Sequence, residues 1–371
     1  MSIAMSFFAA PPSYEFEGNL PVYYPAMLSA SASPVMSFEA NDGDVSVWRA
    51  AAHSKLMELA GPFPASCPFS PEEVCHEQRE GYVARKILIN LSPWNRVGVY
   101  LLTPDDISRA RPAVVLLHDH GSHFSIGKEK VVSPLCASDS VRCDAARWAE
   151  RCYDGIFVGD ELARRGYVVL ALDAPYFGER GAMEGSRYVD QQAIASNLLL
   201  MGYSWAGMTL HNDLRAVDFL MTLPYVDSAR IAALGFSFGA YRAWMLAAAS
   251  QRLAAVASVC WMSSVRQLVE KGNNLMRGQT SYSMYIPRLA HYLDFPDVAA
   301  IAVPTPAMYI QGANDKLFNE QSVMSAFNTI RHAYQGSDKL TLHYDQDGHV
   351  FSKERQTLVF DFFDKHLLNG K

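Results

Sequence analysis

From residue 112 onwards, short runs of apolar residues alternate with longer segments in which apolar residues recur at helical spacing. Each short run is uninterrupted, which predicts strands that are buried on both faces. Alternation of such strands with helices is typical of an α/β protein, with a mostly parallel sheet flanked by helices. The predicted strands span residues 113–117, 167–172, 230–234, 254–260, 307–311 and 339–344. The predicted helices span residues 155–165, 206–223, 239–249 and 353–368, with Asp154 and Ser352 as caps of the first and the last.

The N-terminal part of the chain does not follow this alternation. Residues 1–45 are rich in Pro, Ser and Ala, and they predict an extended arm that lies on the body of the protein. A helix is predicted over residues 47–59, because apolar residues recur there at helical spacing and Gly61 and Pro62 then end the pattern.

These patterns divide the chain into two parts. We predict an arm and helix over residues 1–80, packed on an α/β domain over residues 81–371. The domain would begin with two strands at 81–90 and 97–103. The long stretch between the strands at 254–260 and 307–311 predicts a small lid or pocket wall.

Composition and charge exclude several classes of protein. The chain has 371 residues, with 32 Lys and Arg against 38 Asp and Glu, which gives a net charge of −6. A mildly acidic chain without a basic run lacks the charge pattern of a nucleic-acid-binding protein. No apolar run approaches the roughly 18 residues of a membrane span, and no basic residue precedes the apolar N-terminus as in a signal peptide. We therefore expect a cytoplasmic protein that binds neither nucleic acid nor membrane, with a homodimer as its default assembly.

The chain has six cysteines: Cys67, Cys75, Cys136, Cys143, Cys152 and Cys260. They form no C-x-x-C pair, and six is far fewer than a disulfide-based scaffold of this length would carry. We therefore expect reduced thiols. Because Cys136, Cys143 and Cys152 fall within one segment, a local bridge among them is the alternative.

Residues 235–239 read GFSFG and stand between a predicted strand and a predicted helix. G-x-S-x-G in this setting is typical of a nucleophile elbow, the tight turn that exposes a serine hydroxyl above a sheet. Gly235 and Gly239 lack the Cβ atoms that would collide with the neighbouring strand and helix. The pattern predicts Ser237 as a nucleophile.

A serine hydroxyl is a weak nucleophile that needs a base, and the base needs an acid to orient it. Asp315 stands on the loop after the predicted strand at 307–311, and His349 stands on the loop after the strand at 339–344. Because the carboxyl ends of parallel strands meet at one edge of a sheet, both side chains can converge with Ser237. We predict these three residues as a catalytic triad.

The loop after the strand at 113–117 reads HDHG at 118–121 and predicts an oxyanion site. Its donors would be the backbone N–H groups of Phe238 and His120, with Gly121 as the next choice and as part of the pocket lining. The histidines and aspartate of this loop, together with His123, also suggest a metal site. No further ligand cluster accompanies them, so we expect no metal and side chains that bond one another or the backbone.

Other residues are predicted around the pocket. Trp261 and Met262 follow the carboxyl end of a predicted strand and are expected to line it. The segment 130–153, which carries three of the cysteines, would cover it. Glu129 and Arg180 are expected to form a structural ion pair.

Several segments resemble the acetyl xylan esterase and dienelactone hydrolase-like branch of the α/β-hydrolases. They are LHDHG at 117–121, GKEK at 127–130, GYVVLALDA at 166–174, FGER at 177–180, DSAR at 227–230 and DGHVF at 347–351. The resemblance covers roughly residues 80 to 370. It implies an α/β-hydrolase fold, no cofactor and hydrolysis of a carboxylic ester, with Ser237 as nucleophile, Asp315 as acid and His349 as base. Dienelactone hydrolases use a cysteine nucleophile, which makes that particular reaction a poor expectation for a chain with serine at this position.

The sequence therefore predicts a serine esterase that acts on a small acyl ester or a lactone through an acyl-enzyme. A peptidase, an amidase or a biosynthetic acyl-transfer enzyme with the same triad is the alternative within enzymes. A catalytically inactive binding protein on the same fold is the alternative of a different class. The pattern does not identify the acyl and alcohol parts of the substrate, because the pocket sets them.

Overall fold

The computed structural model describes residues 14–30, 34–41, 43–271, 273 and 282–368. Its described residues form a two-stranded hairpin and a nine-stranded sheet. The strands, in chain order, are β1 (Phe16–Glu17), β2 (Leu20–Pro21), β3 (Glu72–Arg79), β4 (Tyr82–Ser92), β5 (Asn95–Pro104), β6 (Arg111–Leu117), β7 (Val168–Leu172), β8 (Val226–Phe236), β9 (Ala255–Val259), β10 (Ala307–Gly312) and β11 (Leu340–Asp345).

The large sheet has the order β11–β10–β9–β8–β6–β7–β5–β4–β3. All neighbouring pairs from β11 to β7 are parallel, whereas β5, β4 and β3 are added in antiparallel pairs at the other edge. The parallel strands all point their carboxyl ends to the same edge, where the loops after them can meet. The predicted mostly parallel α/β sheet is confirmed.

Helices cover both faces of the sheet. In chain order they are α1 (Tyr24–Ala30), α2 (Val45–Ala60), α3 (Asp139–Cys152), α4 (Val158–Arg164), α5 (Gln191–Leu200), α6 (Trp205–Met221), α7 (Phe238–Ala249), α8 (Val265–Leu268), α9 (Leu289–Tyr292), α10 (Phe295–Ala300), α11 (Glu320–Ala333) and α12 (Lys353–Phe363). A wider helical turn, Asp364–Leu368, continues α12. None of the helices in the described part of the chain is long and apolar enough to cross a membrane.

Two apolar cores lie on opposite faces of the sheet. One contains the buried residues of α2, α6, α7, α10 and α11, and the other contains those of α3, α4 and α12. Val115 of β6 belongs to the first core, while its neighbours Val114 and Leu116 belong to the second. A central strand therefore buries successive side chains on opposite faces, which explains why its sequence is an uninterrupted apolar run.

The boundary predicted after residue 80 falls between two strands of one sheet. Strand β3 pairs with β4 in antiparallel register, so the sheet begins at Glu72. The sequence of β3, EEVCHEQR, gave no strand signal because this edge strand is mostly exposed and polar. Within the described residues, the predicted arm contains the β1–β2 hairpin and α1, and α2 packs against α6 and α7.

The predicted cap of the helix after residue 155 is wrong. Asp154 has a φ of +51° and is followed by a turn, and the helix starts only at Val158 with Phe157 as its N-cap residue. The Asp154 carboxylate accepts instead a hydrogen bond of 2.8 Å from the N–H of Lys353. Asp154 therefore satisfies a backbone N–H in the first turn of α12, at a residue that is 199 positions away in the sequence.

The prediction of reduced thiols is wrong for two of the six cysteines. Cys75 of β3 forms a disulfide with Cys136, and Cys67, Cys143, Cys152 and Cys260 are free. The local bridge that we considered within 136–152 is not formed either. The partner of Cys136 lies 61 residues away and is brought near only because β3 extends the sheet beside the segment that precedes α3.

Candidate active site

The turn between β8 and α7 holds Ser237 in a strained backbone conformation, with φ at +56° and ψ at −120°. Such a conformation is rare for a residue with a side chain and is found where the surrounding structure imposes it. Two glycines make the close backbone contacts of this turn possible. A Cβ atom on Gly235 would lie 2.0 Å from the backbone of Gly239, and one on Gly239 would lie 1.9 Å from the carbonyl oxygen of Leu117. The tight turn therefore requires both glycines, as the pattern predicted.

Ser237, His349 and Asp315 form a continuous chain of hydrogen bonds. The Oγ atom of Ser237 lies 2.8 Å from Nε2 of His349, and Nδ1 of His349 lies 2.7 Å from Oδ2 of Asp315. The carboxylate at the end of the chain requires a proton on Nδ1, which leaves Nε2 free to accept the proton of the serine hydroxyl. The structure brings together three residues that are separated by up to 112 positions in the sequence.

The acid at the end of this chain is held by its own loop. Asp315 follows β10 and is 2% exposed. Its carboxylate accepts hydrogen bonds from the N–H of Leu317 at 3.0 Å and from Nε2 of Gln311 at 3.2 Å. These donors fix the carboxylate so that it can orient the imidazole of His349.

The loop 118–121 after β6 is tied down through the side chain of Asp119. Oδ1 of Asp119 accepts hydrogen bonds from the hydroxyl of Tyr153 at 2.6 Å and from Nε1 of Trp148 at 3.1 Å. Both donors come from α3 and its C-terminal end. The loop and α3 therefore form one hydrogen-bonded unit beside the serine.

The ring nitrogens of His118 and His120 are all engaged within the protein. Their partners are the Asp119 carbonyl and the Ala174 N–H for His118, and the Ser122 N–H and Gln191 Oε1 for His120. Burial lowers the pKa of His120 to about 4 and that of His118 well below its usual value, so both rings are neutral at pH 7. His123 contacts the carboxylate of Asp144 at 2.9 Å. This loop is arranged for hydrogen bonding within the protein and not for binding a metal.

A cavity of about 420 Å³ opens beside Ser237. Its lining includes Ser237, His349 and the loop 119–122, to which His120 and Gly121 belong. The remaining lining residues come from several elements: Trp148, Arg151, Cys152, Phe236, Phe238, Trp261, Met284, Leu317 and Val350.

The structure places the two residues after β9 differently. Trp261 lines the cavity, whereas Met262 does not and lies in an apolar core with 1% exposure, which corrects the expectation for Met262. Neighbouring side chains after a strand point in different directions. The end of a strand in the sequence therefore predicts which residues lie near the cavity, but it does not predict which side chain faces the cavity.

One wall of the cavity is bonded to the loop that carries His349. The N–H of Phe351 donates to the carbonyl of Cys152 at 2.8 Å, and Nε2 of Gln356 donates to the carbonyl of Tyr153 at 2.9 Å. The contact of Asp154 with α12 is a third bond between the same two regions. The C-terminal end of α3 and the histidine loop are therefore fixed relative to each other.

The whole arrangement can be compared with known proteins. A family model described as the Abhydrolase family matches residues 25–356. The chain belongs to the Abhydrolase family. The family assignment agrees with the resemblance inferred from the sequence.

Several known proteins are similar to this Abhydrolase chain in sequence or in fold. A protein of Bacillus subtilis (strain 168) named "Putative hydrolase YtaP" is 27% identical over 288 residues, which cover 78% of this chain and 88% of that protein. A "putative acetyl xylan esterase" from Bacteroides fragilis NCTC 9343 has a TM-score of 0.71 at 20% identity, covering 86% of this chain and 81% of that one. The glucuronoyl esterase from Solibacter usitatus has a TM-score of 0.63 at 14% identity, covering 90% and 97%. The structural likenesses show a shared fold.

The described part of this Abhydrolase chain contains one group of His, Cys and Asp atoms close enough to hold a metal ion: Cys260, Asp315 and His349. Two of its members are already bonded in the chain that ends at Ser237. Burial raises the pKa of the Cys260 thiol, which opposes the thiolate form that metals bind, and its sulfur lies 3.0 Å from Nη1 of Arg355. The donor set fits a hydrogen-bonded serine site better than a metal centre.

The predicted ion pair between Glu129 and Arg180 is wrong. Glu129 pairs with Nζ of Lys128 at 2.9 Å, and Arg180 donates to the carbonyl of Asp173 at 2.8 Å. Lys128 and Lys130 lie in one short helical turn, Lys128–Lys130, and both are completely buried. Sequence reasoning missed both lysines. Lysine is almost never fully buried without partners, so only their contacts reveal them.

Proposed function

We propose that this chain hydrolyses carboxylic esters through an acyl-enzyme formed on Ser237. The observation that carries the proposal is the continuous hydrogen-bond chain from Asp315 through His349 to a serine that lines a cavity. Esterase names among the proteins of the same fold support it. The Asp315–His349–Ser237 hydrogen-bond chain activates a nucleophile, which is a role that an inactive binding protein does not require.

The steps follow from the contacts. His349 Nε2 takes the proton of Ser237 as Oγ attacks the ester carbonyl, and Asp315 stabilises the imidazolium that forms. The protonated His349 then gives its proton to the leaving alcohol, which leaves an ester between Ser237 and the acyl group. In the second half, His349 takes a proton from water as the hydroxide attacks the acyl-enzyme, and His349 then returns that proton to Oγ of Ser237 as the carboxylic acid is released.

The negative oxygen of each tetrahedral intermediate needs donors that are already in place. We propose the backbone N–H groups of Phe238 and His120 for this role. Phe238 is the first residue of α7, where a backbone N–H has no partner within the helix. His120 lies on the loop after β6, and both residues line the cavity.

The test is hydrolysis of p-nitrophenyl acetate, butyrate and octanoate by the wild type and by Ser237→Ala. We expect turnover by the wild type and a loss of about 10⁴-fold or more in the variant. Ser122→Ala is a matched control, because Ser122 lines the same cavity but is not bonded to His349. A fluorophosphonate probe should label the wild type and Ser122→Ala and not Ser237→Ala.

The same assay separates the alternatives. Cleavage of p-nitroacetanilide at a rate close to that of p-nitrophenyl acetate would favour an amidase. Absence of both ester turnover and fluorophosphonate labelling in folded protein would reject the proposal.

The homodimer and the cytoplasmic location stay predictions. The Cys75–Cys136 disulfide weighs against a reducing compartment, where such bonds are rare. Multi-angle light scattering would give the assembly.

A further inference from the structure

Lys130 lies beneath the loop that follows β6, and its side chain has no exposed surface. Its Nζ atom donates to the carbonyl of Asp119 at 3.0 Å and to the carbonyl of His120 at 2.9 Å. The same atom lies 3.4 Å from Oδ2 of Asp119 and over the ring faces of Trp148 and Phe177, at 4.9 and 5.0 Å from their centres. Two carbonyls, one carboxylate and two aromatic rings thus fix the position of this ammonium group.

Because a peptide bond is planar, the contacts of the two carbonyls also fix the directions of two N–H groups. In a trans peptide the C=O and the N–H of one plane point in opposite directions, and the peptides of this loop are trans. The carbonyl of Asp119 shares its plane with the N–H of His120, and the carbonyl of His120 shares its plane with the N–H of Gly121. Because Lys130 draws both carbonyls to its own side, both N–H groups face the other side.

That other side is the cavity. Asp119, His120 and Gly121 line it, whereas Lys130 does not. The carbonyl of Asp119 also accepts a hydrogen bond of 2.8 Å from Nδ1 of His118, which holds the first of the two peptides in the same orientation. This loop is not part of the strand ladder, so these donors take the place of a sheet partner.

We infer that Lys130 is a positioning residue for the oxyanion site, which aims the N–H groups of His120 and Gly121 at the ester oxygen and adds a buried positive charge behind them. The inference rests on the proposed function. The negative oxygen exists only in the transition state and the tetrahedral intermediate, so the effect of Lys130 falls on kcat and not on KM. A purely structural lysine would not discriminate between a ground state and a tetrahedral anion.

Lys128 is the matched control. It belongs to the same short turn and is equally buried, but its Nζ contacts the carboxylates of Asp173 at 2.9 Å, Glu129 at 2.9 Å and Glu179 at 3.1 Å. Its contacts therefore stabilise the fold without reaching the oxyanion loop. Replacing it leaves the buried carboxylates of Asp173 and Glu129 without their cation and should lower the melting temperature at least as much as replacing Lys130.

The experiment uses phenylboronic acid as a probe of the oxyanion site. Oγ of Ser237 adds to the boron while its proton moves to His349, which gives a tetrahedral anion with an oxygen where the ester oxyanion would stand. For Lys130→Met we expect kcat for p-nitrophenyl acetate to fall by about 10- to 100-fold, KM to stay within about threefold, and Ki of phenylboronic acid to rise in parallel with the loss of kcat. For Lys128→Met we expect an unchanged Ki.

Lys130→Gln provides a second variant of similar size that keeps hydrogen-bond donors without the charge, and we expect it to be intermediate. An unchanged Ki in both Lys130 variants, or an equal rise in Lys128→Met, would overturn the inference. Failure of the wild type to hydrolyse the ester and to bind phenylboronic acid would instead overturn the proposed function.

Discussion

Gly239 lies against β6 so closely that a Cβ atom at this position would stand 1.9 Å from the carbonyl oxygen of Leu117. No side-chain rotation relieves this clash, because both the new atom and the carbonyl belong to the backbone or are fixed to it. The start of α7, and with it the position of Ser237, therefore depends on the absence of a single methyl group.

Gly239→Ala is expected to displace the elbow or prevent folding. Either result should abolish fluorophosphonate labelling of Ser237, and circular dichroism distinguishes the two. Gly348→Ala is the matched control, because Gly348 precedes His349 in the chain. A Cβ atom there would have its nearest neighbour, the carbonyl oxygen of Asn314, at 3.8 Å, which is an ordinary contact. Full labelling of Gly239→Ala would contradict the steric argument.

Asp315→Asn should lower kcat by about 10³- to 10⁴-fold while the protein stays folded. An amide in place of the carboxylate can no longer hold the proton of His349 on Nδ1 or stabilise the imidazolium. Steady-state hydrolysis of p-nitrophenyl acetate measures the loss. Asp347→Asn is the control, because this carboxylate lies near His349 in sequence but bonds the hydroxyl of Ser352 at 2.8 Å. A loss of similar size in Asp347→Asn would show that the effect is not specific to the triad.

Loss of the disulfide should destabilise the fold. Closing a loop with a sequence separation of 61 residues removes chain entropy from the unfolded state that corresponds to about 4 kcal/mol. The Cys75→Ser, Cys136→Ser double variant should therefore melt at a lower temperature than the wild type, and a reductant should lower the melting temperature of the wild type but not that of the double variant. Cys143→Ser, which changes an exposed free thiol, should melt as the wild type does. Equal melting of all variants would exclude a stabilising bond.

Asp297 should make the stability of the fold depend on pH. Its carboxylate accepts hydrogen bonds of 2.8 Å from the N–H groups of Phe38 and Asp294, and burial raises its pKa from 3.8 to about 7. Between these two values the folded state holds a proton that the unfolded state has released, so the contribution to stability falls as the pH rises from about 4 to 7 and is constant above it.

Asp297→Asn should remove this part of the pH dependence, because an amide stays neutral in both states. Urea unfolding at pH 5 and pH 8 should show a smaller loss of unfolding free energy in the variant than in the wild type. Asp338→Asn changes an exposed aspartate and should keep the wild-type difference. If Asp297→Asn lost as much unfolding free energy between pH 5 and pH 8 as the wild type does, another group would be responsible for the pH dependence.

The three residues of the hydrogen-bond chain could be predicted because each follows the end of a predicted strand. The signal at Ser237 is local, since two glycines at fixed spacing and a strand before them define the turn. Asp315 and His349 need only the further rule that parallel strands present their carboxyl ends at one edge. Side-chain packing plays no part in either signal.

The residues that the sequence did not reveal depend on packing. Helix α3 was not predicted because its sequence is rich in charged residues and only Ala145, Trp148 and Ala149 are buried. The role of Lys130 cannot be seen without the carbonyls that it contacts. The bond between Cys75 and Cys136 depends on an edge strand whose polar sequence resembles a loop. Such features arise from contacts between distant segments and leave no periodic pattern.

The bonds from Phe351, Lys353 and Gln356 to residues 152–154 have a consequence for the route of the substrate. An outward swing of the end of α3 would pull the histidine loop with it and separate His349 from Ser237. Substrate exchange that keeps His349 paired with Ser237 therefore has to use a part of the cavity wall other than the end of α3, and Leu317 is a lining residue that is 36% exposed. The larger side chain in Leu317→Trp should lower kcat/KM for p-nitrophenyl octanoate more than for p-nitrophenyl acetate. Selection by size would then take place during binding, before the chemical step.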